Sequence, residues 1–146
     1  MIYDYIEYGF GSGLDRNGGS WVKQCSDNEK ELIGLLISTL PQAIEVNGRV
    51  GIVHACVPGN DWNNMETCNS FSMQDSGEHI WSRDKISNND TTIIDNIELV
   101  LVGHTPVSKP MQLGNVFYCD TGAVYSGGHL SIIRVTMGDE ILVEVL

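Results

Sequence analysis

The sequence predicts an α/β chain, a sheet with flanking helices whose strands turn antiparallel toward the C-terminal end. Three observations carry this. Leu99-Val100-Leu101-Val102 is an unbroken apolar run, the pattern of a strand buried on both faces. Ala43-Ile44-Glu45-Val46 and Arg49-Val50-Gly51-Ile52-Val53 flank Asn47-Gly48, a dipeptide suited to a type I′ hairpin. Strand patterns outnumber helical ones and end the chain.

Taken in order, residues 1–21 are rich in Tyr and Gly. They predict a short helix around residues 2–8, then a turn through Gly18 and Gly19. A longer helix follows, with Ser26 as its cap and Glu29 completing a capping box. Leu32, Leu36 and Leu40, with Ile33 and Ile37 beside them, place an apolar stripe on one face, and Pro41 marks the stop. After the Asn47-Gly48 hairpin, residues 56–79 are polar and irregular, as functional loops often are. Strands resume at residues 99–102 and 116–119. Residues 130–135 and 141–145, joined by Met137-Gly138-Asp139, predict a closing hairpin.

The chain has 146 residues, enough for one domain spanning 1–146 with a core of its own. With 42% hydrophobic and 18% charged residues it is globular in composition. Acidic residues outnumber basic ones by 19 to 8, a formal net charge of −11. That balance argues against nucleic-acid binding, which needs Lys and Arg to neutralise phosphates, and against anionic membrane surfaces. It leaves room for cations or a basic protein partner. No apolar run approaches the ~20 residues of a membrane span, and no secretory pattern opens the chain. Cys25, Cys56, Cys68 and Cys119 form no C-x-x-C pair, so free thiols and a cytoplasmic setting are expected.

Two histidines end predicted buried strands: His54 after Gly51-Ile52-Val53, and His104 after Leu101-Val102-Gly103, leading into Thr105-Pro106. Strand termini deliver side chains to a loop-lined edge, and imidazole is the commonest side-chain metal ligand. A lone histidine there is more often an ordinary sheet-edge residue; two in matching contexts weigh evenly between the readings. Arg83, in Ile80-Trp81-Ser82-Arg83, has the donor fork that suits a phosphate, against the plainer reading of a surface arginine pairing with Asp84.

Four segments in this order carry a resemblance: Val53-His54-Ala55, residues 80–86, Val102-Gly103-His104-Thr105-Pro106-Val107, and Tyr118-Cys119-Asp120-Thr121-Gly122-Ala123-Val124. Together they resemble the second half of serine/threonine phosphatases of the bacteriophage lambda type, within the calcineurin-like metallophosphoesterases. Residues 15–22 are similar to the family's middle. The resemblance implies a partial metallophosphoesterase β-sandwich with flanking helices, corresponding to the C-terminal part of the fold. It implies a site for two metal ions, often Mn²⁺, which polarise a phosphoester for in-line hydrolysis. It implies His54 and His104 as ligands of one metal and Arg83 as the phosphate grip. Asp120-Thr121-Gly122 matches the strand-end turn near the site, without a catalytic role.

The family's earlier motifs, D-x-H, G-D-x-x-D-R-G and G-N-H-E, have no counterpart. Asp15-Arg16-Asn17-Gly18 echoes only part of the second, and Gly59-Asn60-Asp61 is a decoy for the third. Two histidines and an arginine cannot clamp two ions about 3.5–4 Å apart. Any metal is therefore expected to be single and weakly held, and the chain to have little or no activity alone. Exposed sheet edges predict self-association, a separate N-terminal phosphatase half or a host protein as partner. An alternative function is a non-enzymatic phage protein that inhibits a host protein in the bacterial cytosol through its acidic surface. A weaker one is a structural zinc protein using His54, Cys56, Cys68 and His79.

Overall fold

The computed structural model describes residues 1–11, 13–68 and 77–146, and they fall into two compact units, Met1–Pro41 and Gln42–Leu146.

The first unit is helical. Helix α1, Ile2–Tyr8, ends at Gly9, whose φ of 74° is the left-handed value a glycine adopts without penalty. A 3-10 turn, Ser20–Gln24, precedes helix α2, Asp27–Thr39. The capping box forms as the sequence predicts: Ser26 Oγ accepts from the Glu29 amide at 3.4 Å, and Glu29 Oε2 accepts from the Ser26 amide at 2.8 Å. Only the isoleucine side of the apolar stripe packs. The face that packs is Lys30, Ile33, Gly34 and Ile37, with Gly34 buried where a Cβ would lie 3.4 Å from Ile6 Cγ2 of α1. Leu32, Leu36 and Leu40 lie further round the helix and are exposed. Gly34 faces α1 across a gap that a Cβ would fill at ordinary contact distance.

The second unit is built on a five-stranded mixed sheet in the order β1-β2-β3-β5-β4: Ala43–Val46, Val50–Val53, Leu99–Val102, Val116–Tyr118 and Met111–Leu113. Asn47 and Gly48 both have positive φ, the requirement of a type I′ turn, and Arg49 N closes it on the Val46 carbonyl at 3.1 Å. The inner strands β2, β3 and β5 run parallel, with Val53 opposite Val102 and Val102 opposite Tyr118. Strand β4, which the sequence reading does not contain, pairs antiparallel with β5.

One face of this sheet buries Val53, Val100, Val102, Val116 and Tyr118 with Trp62, Met65 and Ile94. Trp62 and Met65 belong to a 3-10 segment, Trp62–Thr67, inside the stretch that reads as a polar loop. Gly51 makes room for the indole, since a Cβ there would stand 2.4 Å from it, and Trp62 Nε1 donates to Glu45 Oε2 at 2.6 Å. The other face meets a hairpin, β6 Ile133–Met137 and β7 Ile141–Val145, over Val50, Leu99 and Phe117. Strand β6 starts three residues later than predicted. Arg49 braces this hairpin: it donates to Glu98 through Nε and Nη2, at 2.6 and 2.8 Å, and to the Gly138 carbonyl at 2.6 Å. The chain is thus mixed α/β with antiparallel C-terminal strands.

Candidate metal and phosphate site

Parallel pairing decides where the histidines go. Because β2, β3 and β5 run side by side in one direction, the residues just past their ends share one edge of the sheet. His54 follows β2, Gly103-His104 follow β3, and Asp120 stands two residues past β5. Gly103 N donates to the His54 carbonyl at 3.0 Å, which extends the β2–β3 register to the site itself.

His54 Nε2 and His104 Nδ1 are 3.1 Å apart, with ring centroids 4.9 Å apart and planes inclined by 58°. His104 has φ of 65°; every other positive-φ residue among the described non-glycine positions is an asparagine, a residue that tolerates this region. A histidine held there stores backbone strain of the order of 1–3 kcal/mol. Two turn contacts hold it: Thr105 N to the Gly103 carbonyl at 2.7 Å, and Val107 N to the Asp120 carbonyl at 2.8 Å.

Helix α3, Glu78–Trp81, lies against this edge. The His79 carbonyl accepts from Ala55 N at 2.9 Å, fixing the chain beside His54. The Trp81 ring meets His104 edge-on at 5.8 Å between centroids. Arg83 caps the next helix, α4, Asp84–Ser87. It is exposed and, among the described residues, makes no ion pair; the expected alternative partner Asp84 is not engaged. Lys85, only 7% exposed, fastens α4 by donating to Asn60 Oδ1 at 3.1 Å, Asp90 Oδ2 at 3.3 Å and the Thr92 carbonyl at 2.6 Å. Asn60 of the decoy motif is thus a structural acceptor. Its neighbour Asp61 caps a turn through Asn63 N at 3.0 Å.

Electrostatics favour neutral rings. Burial lowers the His54 pKa most, the adjacent His104 lowers it further, and Asp120 opposes them. For His104, burial again leads, the positive charge of Arg83 adds to it, and the Trp81 carbonyl and Asp120 oppose. Neutral imidazoles are the form that binds metal.

The two rings stand at hydrogen-bond distance, a spacing that equally suits two ligands of one cation. Two nitrogen ligands bonded at ~2.1 Å in adjacent positions on an ion lie about 3 Å apart, the spacing found here. His104 Nε2 is buried without a hydrogen bond of ordinary geometry, and the nearby Trp81 carbonyl is where a metal-binding imidazole would send its remaining proton. The residues do not fit two ions, because among the described residues no three His, Cys, Asp or Glu converge as ligands. The same observation removes the zinc reading: His54, Cys56, Cys68 and His79 form no ligand group, and the His79 ring contacts Gln42 Oε1 at 3.2 Å.

Over 125 residues, 82% of this chain, it is 30% identical to serine/threonine-protein phosphatase 1 of Salmonella typhimurium (strain LT2). The relative is a phosphatase. The match covers 54% of that protein, so the chain spans about half the length of the curated relative. No protein-family model matches the chain. Among the described residues no helix is long and apolar enough to cross a membrane.

The resemblance puts Asp120 in the strand-end turn near the site and gives it no catalytic role. Asp120 had the same signal as the histidines, a polar group just past an apolar strand. Lys85 had none, because nothing in Arg83-Asp84-Lys85 says which charge is buried.

Proposed function

We propose that this chain is a phosphoesterase-like protein of the serine/threonine-phosphatase type that lacks the N-terminal metal-binding motifs and is inactive alone, with His54 and His104 as the ligands left for one divalent cation and Arg83 as the phosphate grip. The 3.1 Å approach of His54 Nε2 to His104 Nδ1, at the ends of adjacent parallel strands, carries the reading. When bound, a divalent cation such as Mn²⁺ supplies polarisation of a phosphoryl oxygen. His54 and His104 orient it from a rigid sheet edge. Arg83, which makes no ion pair among the described residues, has donors free for a phosphate.

Two neutral ligands give a weak site with no second ion, so the chain alone hydrolyses phosphoesters poorly or not at all. The inner face of the five-stranded sheet supports a partner. Ile44 and Ile52, paired across β1 and β2, are exposed on the face where, among the described residues, the strands β6 and β7 pack. Further strands laid on this face would complete a sandwich.

The test is turnover of p-nitrophenyl phosphate with Mn²⁺ titrated in. The expected result is turnover at background. Robust Mn²⁺-dependent turnover that disappears in His104→Ala would overturn the incomplete-site reading and show that two histidines suffice.

A further inference from the structure

A cleft of about 510 Å³ opens within the helical unit, between α1 and the glycine-rich turn through residues 9–11 and 13–19. That is a size at which small organic molecules bind. Glycines set its shape. Gly11 approaches α1 so closely that a Cβ would stand 2.6 Å from the Met1 carbonyl oxygen and 3.3 Å from Tyr5 Cβ, and Gly13 has φ of 76°. The turn closes on itself through Leu14 N to the Gly11 carbonyl at 3.2 Å, Asn17 N to the Gly13 carbonyl at 2.9 Å and Gly19 N to the Leu14 carbonyl at 2.8 Å.

The lining is cationic in a chain that is not. Of 8 basic residues against 19 acidic ones, Arg16 and Lys23 both line this cleft. Its carboxylate, Asp15, is already engaged, accepting from Lys23 Nζ at 2.6 and 2.7 Å. Lys23 keeps an N–H donor beyond those two. Arg16 is exposed and, among the described residues, makes no ion pair. Tyr5 and Phe10 supply an aromatic wall; Phe10 is 69% exposed, with its ring centroid 6.1 Å from that of Tyr8. An uncovered ring beside an unpaired guanidinium offers a flat ligand a stacking surface and an anion a forked grip.

We propose that this cleft binds a small organic phosphate carrying an aromatic ring, of about the size of a nucleoside monophosphate, with Arg16 and Lys23 on the phosphate and Phe10 against the ring. A phosphate has oxygens enough for both cationic side chains, which a single carboxylate serves less well. The inference does not rest on His54, His104 or Arg83, which belong to the other unit.

Adenosine 5′-monophosphate is titrated into the metal-free full chain at low salt by calorimetry, with ribose 5-phosphate as the probe that has no aromatic ring. The natural chain should bind the nucleotide. Arg16→Ala should weaken binding about tenfold or more at an unchanged melting temperature, as loss of a hydrogen bond to a charged group does, and Arg16→Lys should recover part of it. Phe10→Ala should weaken the nucleotide and spare ribose 5-phosphate, while Arg83→Ala should leave both unchanged. No binding of the nucleotide at millimolar concentration overturns the proposal. So does binding that is lost in Arg83→Ala and kept in Arg16→Ala, which assigns the nucleotide to the candidate phosphate site. A loss in Arg16→Ala with a lower melting temperature and no recovery in Arg16→Lys makes Arg16 a structural residue and overturns it too. Equal losses of both probes in Phe10→Ala remove the aromatic ring from the ligand class.

Discussion

The two units solve the burial problem differently. The sheet unit buries a continuous apolar layer: Val100 and Val102 are at most 1% exposed, and Trp62 and Ile94 pack with them. The helical unit buries Leu14 and Val22 but leaves Leu32, Leu35, Leu36 and Leu40 outside. A long apolar side chain stabilises only when its area leaves water, at roughly 25 cal/mol per Å². Leucine on α2 therefore does little for this chain by itself, whereas valine on β3 does a great deal. The candidate site sits beside that layer, at the ends of β2, β3 and β5, where His54 is exposed and His104 half-buried. A bite of two imidazoles needs a support that does not yield, and short parallel strands with closed registers provide it.

The strongest way to break this comparison is to truncate one residue in each unit. Trp62→Ala removes a buried indole and its bond to Glu45, and should destabilise the protein by about 3–5 kcal/mol in urea unfolding. Leu36→Ala, at a side chain 60% exposed, should stay within about 0.5 kcal/mol of the natural chain. A Leu36→Ala cost rivalling that of Trp62→Ala would mean the leucine face is covered in solution, and the contrast would collapse.

Trp62 also marks where the sequence stops being readable. Its neighbours Asp61, Asn63 and Asn64 make the stretch look like a solvated loop, and only the gap left by Gly51 on another strand reveals an anchor. Local order was legible wherever one segment decides it: Ser26 with Glu29, Asn47 with Gly48, the closing hairpin. The register of parallel strands depends on residues about fifty positions apart, as Val53 and Val102 are. Strand-end position did place His54 and His104 at one edge. It could not give the 3.1 Å between them, which depends on how β2 and β3 pair. For α2 the apolar pattern was half right: Ile33 and Ile37 pack, while Leu32, Leu36 and Leu40 stay exposed.

The next effect belongs to the sheet core and appears at high pH. Burial pushes the Tyr118 phenol from its ordinary value near 10 up to about 12. The folded state thus prefers the neutral phenol. The contribution is fully present below pH 10 and is lost as pH rises through about 12, at most roughly 2–3 kcal/mol for about two units. Tyrosinate absorbance should show one phenol titrating late, and the chain should lose stability over that window. Tyr118→Phe should remove the late phenol and flatten that part of the alkaline decline. If unfolding above pH 10 is identical in the variant, the buried phenol is not a source of it.

The smallest effect sharpens the contrast from the helical side. With little apolar area buried on α2, its local hydrogen bonds carry a larger share of its stability than any one bond does in the sheet. Ser26→Ala deletes the acceptor for the Glu29 amide and one side of the reciprocal pair, a loss of about 1 kcal/mol. Glu29 responds in step: the Ser26 hydroxyl and amide hold its carboxyl below the ordinary range, so its contribution is present above that range and fades as pH falls through the lowered value. Hydrogen exchange read residue by residue should show faster exchange through α2 in Ser26→Ala and unchanged protection in β2, β3 and β5. Equal loss of protection in both units would mean that they unfold as one, and that the helix leans on more than its own cap.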